Sequence, residues 1–259
     1  MDKYIPINMG FYSIGLGLTP ISELIDKIKI EGIPFLHLRG GAKGYNLLSL
    51  SKADLSLFID ICKRGPKVTM LTSDFSLSDF FDVNISFHAI NSELNSYLEI
   101  AHLLSASSLR FLATEIIDAP PINVKIPLMS SRIKFTIELH NPYWFTPQSA
   151  EIINKICNEN NVYILLDSGQ VHEACKIHGY LKVKESILIF IDKVNIIHIS
   201  DNGFGVDDTG HHLVFTLINA FFKFKSEVEI AFEWTGMDRS SRSAFLAYHK
   251  AMNSLINYF

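Results

Sequence analysis

The sequence predicts a single (β/α)8 TIM barrel over residues 1–259. Strand-like and helix-like segments alternate along the whole chain, the pattern of repeated strand–helix units. The length, 259 residues, matches the roughly 250 typical of this architecture. In the second half, Glu138, Asp167, His198 and Glu233 each close an apolar, strand-like run. They recur at roughly thirty-residue intervals, about one strand–helix unit apart. No low-complexity linker or shift in composition divides the chain.

Taken in order, strands are expected near residues 4–10, 33–38, 67–72, 109–113, 134–139, 162–167, 194–199 and 228–233. Amphipathic period places helices near 20–30, 51–63, 91–106, 147–159, 171–190 with a break, 212–224 and 240–257. Thr19-Pro20 and Thr146-Pro147 each offer a capping hydroxyl followed by proline at the first helical position. Two stretches depart from the pattern. Residues 118–131 carry three prolines and little helical period, so the helix after the fourth strand is expected to be short or missing. Residues 82–90 alternate like a strand, and read either as an added β segment or as the true third strand.

Composition narrows the class. The chain is 48% hydrophobic and 19% charged, yet no apolar run approaches the roughly 20 residues of a membrane span. The first residues, Met1-Asp-Lys-Tyr-Ile-Pro, lack the basic start and apolar centre of a secretory signal, so a soluble, cytoplasmic protein is expected. Cys62, Cys157 and Cys175 fall in expected helices without metal-like spacing, and an odd count argues against a disulfide framework. A net charge of −4 offers no general attraction for nucleic acid, and no such partner is expected.

The quartet reads as a metal site because the C-terminal ends of parallel barrel strands converge on one mouth. Glu138, Asp167, His198 and Glu233 offer three oxygen donors and one nitrogen, a set suited to one Mn²⁺, Mg²⁺ or Co²⁺ ion and tolerant of Zn²⁺. Taken singly, each is also an ordinary strand-end polar residue. Arg39-Gly-Gly-Ala-Lys43-Gly follows the second strand. Its backbone N–H groups and two cations suit a phosphate or carboxylate, which favours a small, polar, anionic substrate; a solvated turn is the other reading. After the seventh strand, Asp208 and His211 lie in a polar loop that should border the site, where they contact substrate, bind a second metal or cap a helix. Trp234 reads as an apolar wall of the site or as packing on the barrel rim.

These strand ends, Ile137-Glu138-Leu-His140-Asn141, Leu166-Asp167-Ser-Gly169, Ile197-His198-Ile-Ser-Asp201 and Phe232-Glu233-Trp234, resemble those of the xylose isomerase-like barrels. That family includes sugar isomerases and epimerases, dehydroshikimate dehydratases and endonuclease IV. The resemblance covers most of the chain and implies that Glu138 and Glu233 both bind the metal and exchange a proton with substrate from opposite sides. It implies a substrate role for His140, which falls two residues after Glu138 and so on the same strand face. Two positions depart from the family pattern. Gln170 stands where many relatives have His, with His172 two residues on as the candidate substrate contact, and His37 stands where many have Glu.

The resemblance therefore implies a metal-dependent isomerase or epimerase of a small sugar or sugar phosphate, with a dehydroshikimate dehydratase-like lyase as the alternative. An endonuclease IV-like nuclease fits less well with the acidic net charge. A barrel that only binds a metabolite would not need the inner quartet. Homodimerisation is compatible with the family.

Overall fold

Period-two alternation decides which side chains enter a closed sheet and which face the helices. The computed structural model describes residues 8–17, 19–80, 87–117, 132–206, 213–217 and 228–257. Its parallel strands are β1 (Met9–Tyr12), β2 (Phe35–Arg39), β3 (Lys67–Ser76), β4 (Ser108–Ala113), β5 (Lys134–Leu139), β6 (Tyr163–Asp167), β7 (Val194–Asp201) and β8 (Glu229–Trp234). They pair in sequence order and β8 closes on β1, giving the expected (β/α)8 barrel.

On one parity, Leu36 and Leu38, Leu109 and Phe111, Ile137 and Leu139, Ile164 and Leu166, Ile197 and Ile199, and Ile230 and Phe232 join the main core under the helices. The other parity fills the barrel. There Met70, Leu165 and Ile196 form a separate apolar plug, one layer of the packed interior this architecture requires. The same parity carries His37, Arg110, Glu138, Asp167, His198 and Glu233, all buried. The strand periodicity that builds the core therefore also aims these polar groups at one interior.

The helices are α1 (Ile21–Ile30), α2 (Lys52–Cys62), α3 (Phe87–Leu103), α4 (Pro147–Asn160), α5 (Ser168–His178), α6 (Tyr180–Ile189) and α7 (Ser241–Asn257). Residues 213–217, within the helix expected at 212–224, are helical. At α4 the Thr146 side chain accepts from the Ser149 N–H with proline in the first turn, as the sequence predicts. At α1 the same device fails. Pro20 sits extended at the cap, and the Thr19 hydroxyl turns back to donate to the Leu16 carbonyl. The break between α5 and α6 falls at Gly179, whose φ of 87° interrupts the helical path.

Other expectations are corrected. The first strand runs over Met9–Tyr12 rather than 4–10, with residues 1–7 outside the described set. The third strand is Lys67–Ser76, and Phe87 to Ile90 belong to α3, so residues 82–90 are not the true third strand. Helical spacing prevails there because Ile90, Leu94, Tyr97, Leu98 and Ala101 bury one continuous helical stripe. Residues 82–86 and the proline-rich 118–131 lie outside the described residues.

Gly10 is required by packing. A Cβ there would overlap the ring of Phe35 on the neighbouring strand, and that ring in turn lies 5.5 Å from the ring of His37. Gly10→Ala should lower the unfolding free energy by about 1–3 kcal/mol through overpacking. Urea denaturation should show this, and Phe35→Leu in the same chain should recover part of the loss.

Candidate metal centre

Donor atoms of Asp167, His198 and Glu233 lie within 4.8 Å of one another, and all three residues are buried. Asp167 ends β6 and caps α5: its Oδ1 accepts from the Gln170 N–H at 2.9 Å, and its Oδ2 accepts from the Ser200 hydroxyl. The ring of His198 is held on both sides. Its Nδ1 is 2.9 Å from Glu233 Oε2, and its Nε2 is 2.9 Å from His37 Nδ1. His37 Nε2 in turn lies 3.2 Å from Glu229 Oε2.

Glu138, the fourth expected ligand, is directed elsewhere. Its Oε1 is 3.1 Å from His140 Nδ1, and its Oε2 forms an ion pair with Arg110 Nη1 at 3.3 Å. Charge contact there outruns hydrogen-bond alignment, because Glu138 Oε2 and Arg110 Nη1 are both buried without a hydrogen-bond partner. Arg110 Nη2 donates to the Tyr12 hydroxyl at 2.9 Å. The expected quartet is thus a converged trio with Glu138 beside it, because a buried guanidinium on the adjacent strand draws that carboxylate away.

Burial sets the electrostatics. It pushes the Asp167 carboxyl up to about 7, helped by the charges of Glu233 and Glu138. Burial and Glu138 likewise raise Glu233. Burial also opposes ionisation of Glu138, but Arg110 and the His140 hydrogen bond prevail and hold it below the usual carboxylate range. That same bond raises His140. His198 and His37 are pushed down to about 4 by burial, which leaves both rings neutral at physiological pH.

These residues fit a divalent cation. Two carboxyls and an imidazole converge, the acid groups are raised by burial and by neighbouring carboxylates, a cost that a cation would relieve, and Glu138 keeps a buried oxygen nearby that accepts no hydrogen bond. The donor set suits the metals expected from the sequence, Mn²⁺, Mg²⁺, Co²⁺ or Zn²⁺.

A cavity of about 680 Å³ opens onto the centre, lined among others by Glu138, His140, Asp167, His172, Phe204 and Glu233. His140 and His172 both line this cavity. Trp234 does not line this cavity. It is buried in the main core, with Gly203 and Gly236 packed against its ring and its Nε1 donating to the Asp238 carbonyl. The aromatic at the mouth is instead Phe204, 70% exposed. Asp201 Oδ1 accepts from the N–H groups of Gly203 and Gly205 on either side of it, and both glycines have positive φ.

In the glycine-rich loop after β2, most of the backbone N–H groups expected to cradle an anion are spent within the protein. The N–H groups of Gly40, Ala42, Gly44, Tyr45, Asn46 and Leu47 are all donated within the protein, Ala42 to the Asp74 carboxylate. Lys43 is exposed on that turn and Arg39 is half-buried at the end of β2. Arg39 lies near enough to Glu233 to favour its ionised form. Asp208 and His211 lie outside the described residues.

Sequence reasoning passed over Arg110, Glu229, Tyr12 and Phe204. Arg110 was legible as a charge between Leu109 and Phe111, on the inward parity of a core strand. Phe204 left a signal in its flanking glycines, Gly203 and Gly205.

No protein-family model matches the chain, and no curated protein matches its sequence. Solved structures do. A sugar phosphate isomerase/epimerase from Parabacteroides distasonis is 14% identical, with a TM-score of 0.68 over 99% of this chain and 96% of that one. The IolI protein with a binding zinc atom is 16% identical, with a TM-score of 0.63 over 98% and 99%. A xylose isomerase domain-containing protein from Salmonella typhimurium is 11% identical, with a TM-score of 0.63 over 96% and 97%. At such identities the likeness establishes the fold alone: the chain shares the closed parallel barrel of these proteins. Among the described residues, no helix is long and apolar enough to cross a membrane.

The raised carboxyls make two pH-dependent outcomes measurable. Metal must displace the protons on Asp167 and Glu233, so affinity for Zn²⁺ or Mn²⁺ should rise with pH and level off above about 8. Calorimetry at pH 6 in buffers of differing ionisation enthalpy should register proton release. In the metal-free protein, raised carboxyls lose stability as pH rises from their unfolded values near 4, whereas the two depressed histidines gain stability up to about 6.5. Above about pH 6.5 the carboxyl contribution and that of the raised His140 both decline, so thermal stability should fall up to about pH 8 and the carboxyl share of the fall should vanish on metal loading.

Proposed function

We propose that this chain is a divalent-metal-dependent isomerase or epimerase of a small sugar or sugar phosphate, acting by proton transfer at the carbon beside a carbonyl. The observation that carries the reading is the placing of two buried glutamates on one cavity, with Glu138 held ionised by Arg110 and Glu233 among the converged donors. A carboxylate held ionised suits a base, and a second carboxyl across the cavity suits the opposite transfer.

Glu138 accepts the proton that leaves the substrate carbon. His140, 3.1 Å from its Oε1, steadies the carboxylate by donating to it. Glu233 serves the opposite proton transfer from β8, three strands around the barrel from β5. Each transfer by a positioned carboxyl contributes about 10²–10⁴-fold. Asp167, His198 and Glu233 would hold a divalent ion, which would supply electrophilic stabilisation of negative charge developing on the carbonyl oxygen. Phe204 offers an apolar wall to the C–H face of a sugar, and Arg39 a cation for a phosphate or carboxylate. Neighbours of the same fold include a 3-keto-D-glucoside 4-epimerase and an L-ribulose 3-epimerase, which supports the substrate class.

The bond between His140 and Glu138 favours one second reading, a lyase in which the pair removes a proton and a β-hydroxyl departs as water. New ultraviolet absorbance marks that outcome, whereas an isomerase conserves composition.

The test is a screen of ketoses, aldoses, their phosphates and dehydroshikimate in D₂O with Mn²⁺, Co²⁺ or Zn²⁺, read by NMR as deuterium entering the carbon beside the carbonyl. Glu138→Gln and Glu233→Gln should each lower turnover about 10²–10⁴-fold with the fold intact. His198→Ala should lose metal on dialysis. Undiminished turnover in both glutamine variants overturns the assignment. Phe204→Ala should raise KM about two- to tenfold with kcat little changed, the worth of one aromatic contact.

A further inference from the structure

His37 occupies a position where the family resemblance leads one to expect a carboxylate. It is completely buried, yet both of its nitrogens have partners on other strands: His198 Nε2 at 2.9 Å and Glu229 Oε2 at 3.2 Å. Glu229 begins β8, four residues before Glu233, and its side chain is 33% exposed.

Read from Glu229 inward with neutral rings, the hydrogen-bond directions follow in one sense, and the contact of His198 Nδ1 with Glu233 in the metal-free protein is then made by the carboxyl's own O–H. A carboxylate only accepts, so His37 Nε2 must carry the hydrogen that faces Glu229. A neutral His37 then has a bare Nδ1, which can only accept, so His198 must carry its hydrogen on Nε2. The lone pair of His198 is left on Nδ1, the atom 2.9 Å from Glu233 Oε2 and on the side of the converged donors. The opposite tautomer would turn an N–H toward a cation.

We infer that Glu229 and His37 form a positioning relay that fixes the tautomer and ring orientation of His198 for divalent-metal binding, acting from the N-terminal end of the barrel. This rests on the metal-centre reading above. Outer partners of metal-binding histidines typically contribute 10–100-fold to metal affinity, and here that contribution is divided between a buried imidazole and a carboxylate on the rim.

Co²⁺ titration of the metal-free full-length protein, followed by visible absorption, tests the relay without any substrate. His37→Leu should weaken Co²⁺ binding about 10–100-fold, and Glu229→Gln about tenfold. His37→Glu, which puts a carboxylate directly against His198 Nε2, should stay within a few-fold of wild type. Circular dichroism in chelator checks each fold, and the rim variant Glu229→Gln keeps the test valid should His37→Leu fail to fold. Imidazole ¹⁵N shifts of the Zn²⁺-loaded wild type should report hydrogen on His198 Nε2. Wild-type Co²⁺ affinity and spectrum in both weakening variants would overturn the relay while leaving the centre standing. Failure of the wild type itself to bind Co²⁺ would overturn the centre, and the relay with it.

Discussion

Polar side chains inside a closed barrel have almost no water to solvate them, so each must be answered by a neighbour on another strand. The interior of this chain is organised around that requirement. Asp167 is answered by Ser200 and the start of α5, His198 by Glu233 and His37, His37 by Glu229, and Glu138 by Arg110 and His140. These bonds run between β2, β4, β5, β6, β7 and β8, so the polar network joins strands distant in sequence and fixes the geometry of the mouth. The apolar plug of Met70, Leu165 and Ile196 fills another part of the same interior.

One cation placed among several carboxyls breaks their symmetry. Arg110 sits against Glu138 and favours its charge, while burial and the neighbouring carboxylates outweigh the more distant cations at Glu233 and raise Asp167 as well. Chemically similar groups thereby acquire different protonation states, the usual physical origin of separate acid and base roles. The same asymmetry explains why the acids of the trio suit a cation. Relieving their repulsion and releasing their protons are one event.

The mouth combines a rigid frame with an exposed contact surface. Asp201 ties down the residues on both sides of Phe204, so the ring is presented to the cavity at a defined place even though most of it faces solvent. Behind it Trp234 packs the rim, its indole nitrogen satisfied by the Asp238 carbonyl. Across the mouth the loop after β2 uses its own amides to hold its shape against Asp74. Arg39 and Lys43 therefore offer side-chain charge without a backbone nest.

Much of this was determined by the sequence alone. Alternating apolar runs and helical stripes specify the barrel, because burial of one parity and one helix face depends on local order. The strand-end positions of Glu138, Asp167, His198 and Glu233 specify one mouth, because all parallel strands deliver their C-terminal ends to the same side. The tertiary structure decided the partners. Nothing local to Glu138 reveals that Arg110, from the strand before it, claims the carboxylate, and nothing near His37 points to Glu229, 192 residues away. Nor does residue type tell Trp234 from Phe204: the first, open between a wall of the site and packing on the rim, lies in the core, and the second, passed over, lies at the mouth. Such outcomes turn on distances and desolvation across the closed sheet, quantities that exist only once the barrel has formed.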